Sequence, residues 1–248
     1  MRIEGAWALV TGGSRGIGCE TVKALAARGA RVLFTYRTGK REAEDLVGAL
    51  GARAGAECFP CDVRDPSAIE GLVEEIRGRG IRLDILVNNA GGPIRGTFED
   101  ATVELWEEAF ALHVRAPALF AKGFARDMKE KRRGVIVNIG SVAGMRGVPG
   151  VTVYSTVKGA VIAMTRTMAR DLAEFGVRAV CVSPGIIRTD FHKAMTAEAK
   201  AFNEQTRIPL HREGSPAEVA HLIVSLIEND FVTGDNFVID GGMSMRIV

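Results

Sequence analysis

Seven short apolar runs, separated by stretches with helical spacing, constrain the fold of this chain more than any other feature. Each run is rich in Val, Ile and Leu, and most lack the strict apolar–polar alternation of a half-solvated strand. The predicted strands are Ala6 to Val10, Arg31 to Thr35, Ala56 to Phe59, Ile85 to Val87, Val135 to Ile139, Arg178 to Val182 and Phe237 to Ile239. Strands that are apolar on both faces and alternate with helices fit a parallel sheet covered on both sides. We therefore predict an α/β fold built on a doubly wound, seven-stranded parallel sheet.

The length and continuity of this pattern predict one domain over residues 1–248. Sheets of this kind often reach such a length as one unit, and 47% hydrophobic residues suffice for a large core. No repeat, linker or low-complexity segment interrupts the pattern. One irregular stretch, Ile186 to Arg207, carries Phe191, Met195 and Phe202 at spacings that suit one helical face. We expect this stretch to form a substrate lid.

The charge balance and the amino terminus bear on partners and location. The 32 Lys and Arg residues nearly balance the 30 Asp and Glu residues, and no long block of one sign occurs, so nucleic acid is not an expected partner. Arg2 leads almost directly into the first strand, without the features of a secretory signal, and no apolar run is long enough to span a bilayer. We expect a soluble, cytoplasmic protein with no membrane partner.

The four cysteines do not form the pattern of a disulfide framework or a metal centre. Cys58 and Cys61 match the C-x-x-C spacing of redox and zinc sites. Residues three apart on a strand face opposite sides, however, and no second pair is present to complete a metal shell. We favour two ordinary cysteines and expect no metal.

A glycine-rich turn after the first strand indicates a dinucleotide site. Gly12, Gly16 and Gly18 follow the strand in a G-x-x-x-G-x-G pattern, just where a helix is expected to begin. Glycines there let the backbone approach a pyrophosphate at the helix amino terminus. A tight strand-to-helix connection would explain the glycines equally well if the pattern stood alone.

The end of the second strand bears on the choice between NAD and NADP. An acidic residue there binds the ribose 2′-hydroxyl of NAD, whereas an arginine nearby accommodates the 2′-phosphate of NADP. This segment reads Thr35-Tyr36-Arg37-Thr38 and contains no acid, and Arg15 in the glycine turn offers a second guanidinium. We favour NADP(H); the alternative is that both arginines are solvated surface residues.

Three residues around the predicted fifth strand could carry proton transfer. Ser141 follows the strand, and Tyr154 and Lys158 stand four apart at the start of a long predicted helix. A phenol with a pKa near 10 suits neutral pH poorly, but an ammonium one helical turn away favours the phenolate. A lone Y-x-x-x-K pair is weak evidence, since such pairs are often surface contacts.

Combined with Asp62-Val63 after the third strand and Asn88-Asn89-Ala90-Gly91 after the fourth, these motifs resemble the short-chain dehydrogenase/reductase family along nearly the whole chain. The resemblance implies a Rossmann-type fold in which Asp62 binds the adenine and Lys158 the nicotinamide ribose, while Ser141 donates to the substrate oxygen and Tyr154 is the general acid or base. It implies these cofactor-binding residues: Gly12, Ser14, Arg15, Gly16, Ile17, Gly18, Arg37, Asp62, Val63, Asn89, Ala90, Gly91, Tyr154, Lys158, Pro184, Gly185, Ile187 and Thr189.

Two histidines depart from the family pattern. His113 stands where the family usually has an asparagine that holds a water linking the lysine to solvent. Histidine can also hold a water or pass a proton, so His113 either takes part in the reaction or is an ordinary buried histidine. His211 stands where the family often has glycine, and we expect it to affect only local packing.

The resemblance implies an NADP(H)-dependent oxidoreductase that interconverts a ketone and a secondary alcohol. Similar members include 3-oxoacyl-[acyl-carrier-protein] reductases, sugar dehydrogenases and other small-ketone reductases, which share these motifs. The segments expected around the substrate, Pro93 to Arg95, Val142 to Val151 and the lid, are mostly apolar and favour a neutral ketone or an acyl chain. A nucleotide-binding sensor or scaffold with little catalysis is the alternative from another class.

Two kinds of protein partner are also expected or considered. Members of the family are commonly homotetramers, so we expect a homo-oligomer, either a tetramer or a dimer. A basic cluster could dock an acidic acyl-carrier protein, although a solvated helix end explains it more simply. The basic cluster consists of Arg126, Lys129, Lys131, Arg132 and Arg133.

Overall fold

A computed structural model describes residues 1–51, 55–190 and 195–245 of the chain. Its strands are β1 Trp7–Val10, β2 Arg31–Tyr36, β3 Glu57–Pro60, β4 Ile85–Asn88, β5 Gly134–Ile139, β6 Val177–Pro184 and β7 Asn236–Ile239. Its α-helices are α1 Gly16–Ala27, α2 Lys40–Leu50, α3 Pro66–Gly78, α4 Val103–Phe110, α5 Ala116–Lys131, α6 Thr152–Leu172, α7 Ala197–Phe202 and α8 Pro216–Glu228. Within these described ranges, no helix has the length and apolar character needed to cross a bilayer.

The seven strands form one parallel sheet in the order β3-β2-β1-β4-β5-β6-β7. The predicted α/β architecture and all seven predicted strands are confirmed, with shifts of at most two residues at their ends. Chain order reverses between β1 and β4, so the connections leave these two strands in opposite directions. Ligands of such sheets bind outside the carboxyl ends of the strands at this switch point.

Alternate residues of the central strands enter two separate cores, which explains why the strands are apolar on both faces. Val10 and Val87 pack on one face with α1 and α8, whereas Leu9 and Leu86 pack on the other with α3 and α5. All four side chains are fully buried. Burial of each such side chain contributes roughly 1.5–3 kcal/mol, so a one-residue slip in register would be strongly unfavourable.

Four of the described helices, α3, α4, α7 and α8, begin where a side chain accepts a hydrogen bond from a backbone N–H group of the first turn. Asp65 accepts a hydrogen bond from Ser67 N, with Pro66 at the first helical position of α3. At α8, Ser215 Oγ accepts from Glu218 N at 3.3 Å, and Glu218 Oε2 accepts from Ser215 N at 2.7 Å. This reciprocal pair is the predicted capping box.

The predicted lid, 186–207, contains α7 and a π-helical turn, Asn203–Arg207. Phe191 lies outside the described residues. Met195 precedes α7 and lines the central cavity, whereas Phe202 at the end of α7 is exposed. The shared helical face predicted for these two residues does not form, because Thr196 caps α7 after Met195 and the helix has only six residues.

His211 makes a local contact, and Cys58 and Cys61 of the C-x-x-C pattern are free thiols. His211 adopts φ +52°, in the left-handed region that favours glycine, and its Nδ1 lies 3.0 Å from Glu204 O. The C-x-x-C cysteines are both free. Burial raises the pKa of the Cys61 thiol to about 11, so this sulfur stays protonated and unreactive at neutral pH.

Replacing Ser215 by Ala should lower the free energy of unfolding by about 1 kcal/mol, because Glu218 N then loses its side-chain acceptor at the start of α8. Urea denaturation followed by circular dichroism would measure the change. Ser225→Ala is the matched control, since this exposed serine only donates back to His221 O within the same helix. Equal losses in the two variants would contradict a specific contribution from the capping box.

Candidate active site

A cavity of about 630 Å³ lies at the carboxyl edge of the sheet, across the ends of β2, β1, β4, β5 and β6. It brings together segments that are far apart in the sequence, from the glycine turn after β1 to the lid after β6. Every predicted catalytic and cofactor-binding residue except Gly18 lines it. The sequence motifs therefore converge on one site.

The glycine turn is held in shape by side chains of neighbouring strands. Gly12 and Gly16 have φ values of +65° and +56°, which other residues rarely adopt. Gly12 N donates to Thr35 Oγ1 at 3.0 Å. Asn89 Nδ2 donates to both Thr11 O and Gly12 O at 2.9 Å. Asn89 thus fixes the turn that would receive a pyrophosphate, in addition to lining the cavity.

Gly18 acts through packing rather than by facing the cavity. A Cβ at this position would lie 2.2 Å from Gly12 O and 2.5 Å from Asn89 Nδ2. Only glycine lets the first turn of α1 lie this close to the end of β1. The amino terminus of α1, which favours anions, is thereby aimed at the cavity.

Arg15 and Arg37 lie at the β2 end of the cavity. Both are exposed, and Arg15 Nη2 donates to Thr38 Oγ1 at 3.3 Å. No acidic residue stands between the end of β2 and α2. The residues at this end fit an anionic 2′-phosphate better than a neutral ribose hydroxyl.

Asp62 is held by a residue that the sequence motifs did not single out. Arg64 Nε and Nη2 both donate to the Asp62 carboxylate, the latter at 2.6 Å. These hydrogen bonds lower the pKa of Asp62. Arg64 also pairs with Glu108 of α4 at 2.8 Å, so it ties the loop after β3 to that helix.

Ser141, Tyr154 and Lys158 meet in the cavity near the end of β5. Ser141 follows β5 and accepts from Ala143 N at 3.1 Å, and its hydroxyl also interacts with Tyr154. Lys158 Nζ donates to Ile139 O at 2.7 Å and lies 5.8 Å from the centre of the Tyr154 ring. The strand end and the first turns of α6 therefore place all three groups together.

Burial dominates the proton affinities of these groups. It raises the pKa of Tyr154 to about 12, with the Ser141 hydrogen bond acting in the opposite direction. It lowers the pKa of Lys158, which is only 5% exposed, to about 8. The sequence predicted a phenol shifted toward phenolate by the lysine; within the protein, desolvation outweighs that effect. Tyr154 is consequently protonated at neutral pH and able to donate.

His113 is a neutral, buried base beside Tyr154. It lies on a π-helical turn, Ala111–Arg115, between α4 and α5, and its ring meets the Tyr154 ring edge to face at 5.5 Å. Nε2 lies 3.1 Å from Gly92 O, a carbonyl that can only accept, so Nε2 carries the proton. Burial, followed by the charge of Lys158, lowers the pKa of His113 well below 6.5. Nδ1 is left as a buried acceptor without a partner among the described residues.

Two supports of the catalytic groups were missed in the sequence. A Cβ at Gly144 would lie 2.6 Å from the backbone carbon of Lys158, so glycine is required for the turn after Ser141 to pack on α6. Asn138 is fully buried in β5, where it accepts from Asn88 Nδ2 and donates to Thr165 Oγ1. The sequence does mark Asn138, because it is a polar residue within an otherwise apolar strand.

Comparisons with known proteins agree with this geometry. A family model described as enoyl-(acyl carrier protein) reductase matches residues 12–244. The chain is 34% identical over 249 residues to 3-oxoacyl-[acyl-carrier-protein] reductase of Escherichia coli, covering 99% of this chain and 100% of that protein. The chain belongs to the short-chain dehydrogenase/reductase family. The resemblance found in the sequence is thus confirmed, and the chain is an oxidoreductase.

Solved structures of the short-chain dehydrogenase/reductase family share the whole fold. One, described as a short chain dehydrogenase/reductase family protein, is 33% identical with a TM-score of 0.89, covering 99% of this chain and 100% of the other. A second is a blue fluorescent protein from a metagenomic library in complex with NADPH; it is 35% identical with a TM-score of 0.91, covering 98% and 100%. The family uses a nicotinamide cofactor, and the glycine turn and its surroundings fit one here.

The pH profile of ketone reduction should reflect Lys158 and not His113. Because the lowered pKa of Lys158 is about 8, we expect kcat/KM to stay level from about pH 6 to near pH 8 and to fall above it as the ammonium is lost. Tyr154, with a pKa near 12, stays protonated throughout this range. Initial rates of NADPH oxidation in buffers of constant ionic strength would measure the profile.

His113→Asn supplies the second measurement. Since the pKa of His113 is well below 6.5, the variant should keep the shape of the profile on its acid side while its plateau rate changes. A wild-type inflection near pH 6.5 that disappears in the variant would contradict the neutral state of His113. An unchanged rate and profile would show that His113 takes no part in the reaction.

Proposed function

We propose that this protein is an NADP(H)-dependent reductase that converts a ketone, most specifically a 3-oxoacyl thioester, to the secondary alcohol with Tyr154 as general acid. The observation that supports this most directly is the protonated Tyr154 hydroxyl beside Ser141 and Lys158, in the same cavity as the glycine turn. A 3-oxoacyl thioester agrees with the name of the Escherichia coli relative, 3-oxoacyl-[acyl-carrier-protein] reductase.

The cofactor has a consistent set of binding residues. Arg15 and Arg37 would bind the 2′-phosphate, and the glycine turn with the amino terminus of α1 would bind the pyrophosphate. Ile187 and Thr189 line the cavity after β6, where the Thr189 methyl group comes within 3.3 Å of a Cβ built on Gly16 in the glycine turn, and they would bind the nicotinamide part of the cofactor. When bound, NADPH supplies a hydride to the carbonyl carbon of the substrate.

The side chains of the protein handle the oxygen and its proton. Ser141 Oγ donates to the carbonyl oxygen and orients it toward Tyr154. The Tyr154 hydroxyl gives its proton to that oxygen as negative charge develops there, which leaves a phenolate. The Lys158 ammonium, held in place by Ile139 O, stabilises the phenolate electrostatically until a proton returns.

His113 acts in this proposal as a positioning residue for proton return. With its tautomer set by Gly92 O, Nδ1 can only accept a hydrogen bond. A water bound there would lie beside the tyrosine and lysine, where the family usually uses an asparagine. The π-helical turn Ala111–Arg115 carries His113 and thereby sets the position of its ring. Such turns often occur at functional sites.

The substrate side of the cavity has an apolar wall suited to an acyl chain. Val148 and Val151 from the loop before α6, Ile94 from the loop after β4, and Met195 from the lid all line it. An acyl chain would bury apolar surface against these side chains. A sugar would leave most of its hydroxyl groups without partners on this wall.

The basic cluster considered for a carrier protein is used within the chain itself. Lys131 and Arg133 pair with Asp84 at 2.6 and 3.6 Å, and Arg126 pairs with Glu130 at 3.0 Å. The cluster also precedes β5, at the amino edge of the sheet. Six residues at about 3.3 Å each place it roughly 20 Å from the cavity edge. A carrier protein that delivers a thioester would therefore dock at the carboxyl edge instead.

Replacing Tyr154 by Phe tests the proposed reaction. NADPH oxidation with an acetoacetyl thioester should fall by at least about a hundredfold, because the proton donor is lost while the ring is retained. NADPH affinity, followed by fluorescence titration, should change little. Retained turnover in the variant would refute the role of Tyr154.

A substrate screen of the wild-type protein tests the alternatives. If the protein binds NADPH but reduces none of the ketones, thioesters, quinones or sugars tested, a sensor or scaffold function would replace the proposal. Turnover confined to sugars would favour a sugar dehydrogenase.

Replacing Arg37 by Ala tests the cofactor preference. A charge-assisted hydrogen bond to phosphate contributes roughly 1.5–3 kcal/mol, so the KM for NADPH should rise about ten- to a hundredfold. The KM for NADH should be nearly unchanged. Arg41→Ala is the control, because this arginine lies outside the cavity on the exposed face of α2. A wild-type preference for NADH, or equal effects of Arg37→Ala on both cofactors, would contradict the proposal.

A further inference from the structure

Two arginines, Arg95 and Arg207, line the cavity at the end opposite Arg15 and Arg37. Arg95 lies in the loop after β4, and Arg207 ends the π-helical turn of the lid. Arg37, by contrast, follows β2. Strands lie about 4.8 Å apart, so the end of β2 lies roughly 10 Å from the end of β4, which precedes Arg95, and roughly 19 Å from the end of β6, which precedes the lid. One bound 2′-phosphate cannot therefore account for both pairs.

The backbone beside Arg95 is fixed against the segment that carries the catalytic tyrosine. Gly96 forms a parallel bridge with Val151. Gly96 N donates to Gly150 O at 3.0 Å, and Thr152 N donates to Gly96 O at 3.2 Å. The neighbouring Ile94 is buried and packs in the same cluster as Tyr154. Arg95 therefore extends from an anchored loop on the substrate side of the site.

Arg207 is held in the lid by two contacts. Its Nη1 donates to Asn203 Oδ1 at 3.2 Å, and Asn203 is itself buried and lines the cavity. The following residue, Ile208, is buried and donates from its N to Asn203 O at 2.9 Å. One face of the guanidinium is thus positioned while its other N–H groups have no partner among the described residues.

The charge of these arginines is not neutralised by nearby carboxylates. Within the parts of the chain that the structure describes, neither Arg95 nor Arg207 forms an ion pair, whereas Arg64 and Arg212 each bind a carboxylate closely. Asp190 is the one acidic residue on this side of the cavity lining, and it does not pair with either arginine. A half-buried guanidinium such as Arg207 with free donors is a suitable partner for an anion.

We propose that Arg95 and Arg207 bind an anionic group of the substrate, a carboxylate or a phosphate, while the carbonyl to be reduced lies at Tyr154. The inference rests on the proposed reductase function and specifies its substrate class. It changes the sequence-based expectation of a neutral substrate: the wall is apolar, but its far end carries two cations. The anion is either a carboxylate on the keto compound itself or a phosphate on the carrier of a thioester.

Two matched pairs of probes distinguish these sources. Acetoacetyl-coenzyme A carries phosphates, together with the rest of the carrier, that acetoacetyl-N-acetylcysteamine lacks, and levulinate carries a carboxylate that methyl levulinate lacks. The variants are Arg95→Gln and Arg207→Gln. Arg146→Gln is the control, because Arg146 is exposed in the loop before α6 but does not line the cavity. Steady-state kcat/KM with NADPH is measured for every probe. Calorimetric Kd values with NADP⁺-saturated protein, which cannot reduce the probes, give binding without turnover.

We expect wild-type protein to favour the anionic member of one pair. Each cavity variant should weaken that preference by about ten- to a hundredfold, in both kcat/KM and Kd, while values for the neutral member and for Arg146→Gln stay within about twofold. Loss with the coenzyme A probe identifies a phosphate, and loss with levulinate identifies a carboxylate.

Other results separate failure of this inference from failure of the proposed function. Reduction of both neutral probes with no anion preference, or equal effects of the variants on both members of each pair, would overturn the anion site and leave the reductase intact. If no ketone is reduced in a broad panel, the proposed function fails, and calorimetry alone decides on the arginines. Equal Kd values for wild type and variants would then reject the anion site as well.

Discussion

The hydrogen bonds from Asn89 to the glycine turn are the interaction on which the rest of the site depends. One amide nitrogen joins the end of β4 to Thr11 O and Gly12 O at the end of β1. The side chain thereby spans the switch point of the sheet, where no crossover helix fills the space. Gly18 closes the same contact from α1, since any Cβ would collide with Gly12 O and the Asn89 amide. The turn, the helix amino terminus and the cavity are positioned together as a result.

Desolvation then sets the chemistry of the site. Tyr154 and Lys158 are both buried, and burial moves their pKa values toward the neutral form of each group. His113 is held neutral by the same effect and by the charge of Lys158. A phenol that keeps its proton beside a neutral acceptor and a lysine near its titration point is suited to giving a proton to a carbonyl oxygen. This arrangement is consistent with the reductase proposed above.

Charge is divided between the two ends of the cavity. Arg15 and Arg37 stand at the β2 end, and Arg95 and Arg207 stand beyond the catalytic groups. Between them lie the catalytic groups and the apolar wall that includes Ile94 and Val148. This separation suits a cofactor and a substrate that meet at their reactive carbons while each carries its anionic group outward. By contrast, the basic cluster before β5 forms ion pairs within the chain, in which Lys131 binds Asp84 and Arg126 binds Glu130.

The sequence alone determined the fold and most of the site. Strands that are apolar on both faces dictate a covered parallel sheet, and the glycine turn and Ser141 follow strand ends that such a sheet brings to one edge. Tyr154 and Lys158 stand one helical turn apart at the start of the next predicted helix. These features are local, because each depends on spacing within a few residues. Capping by Ser215 and Glu218 was readable for the same reason.

Only the tertiary structure decided how the groups act on one another. The raised pKa of Tyr154 and the fixed tautomer of His113 depend on burial and on Gly92 O, which spacing does not encode. The π-helical turns were not visible either, since their i to i+5 pattern follows from packing at the cavity rather than from local preference. Arg95 and Arg207 are more than a hundred residues apart, and only folding places both in one lining, because long-range proximity comes from packing of the whole chain.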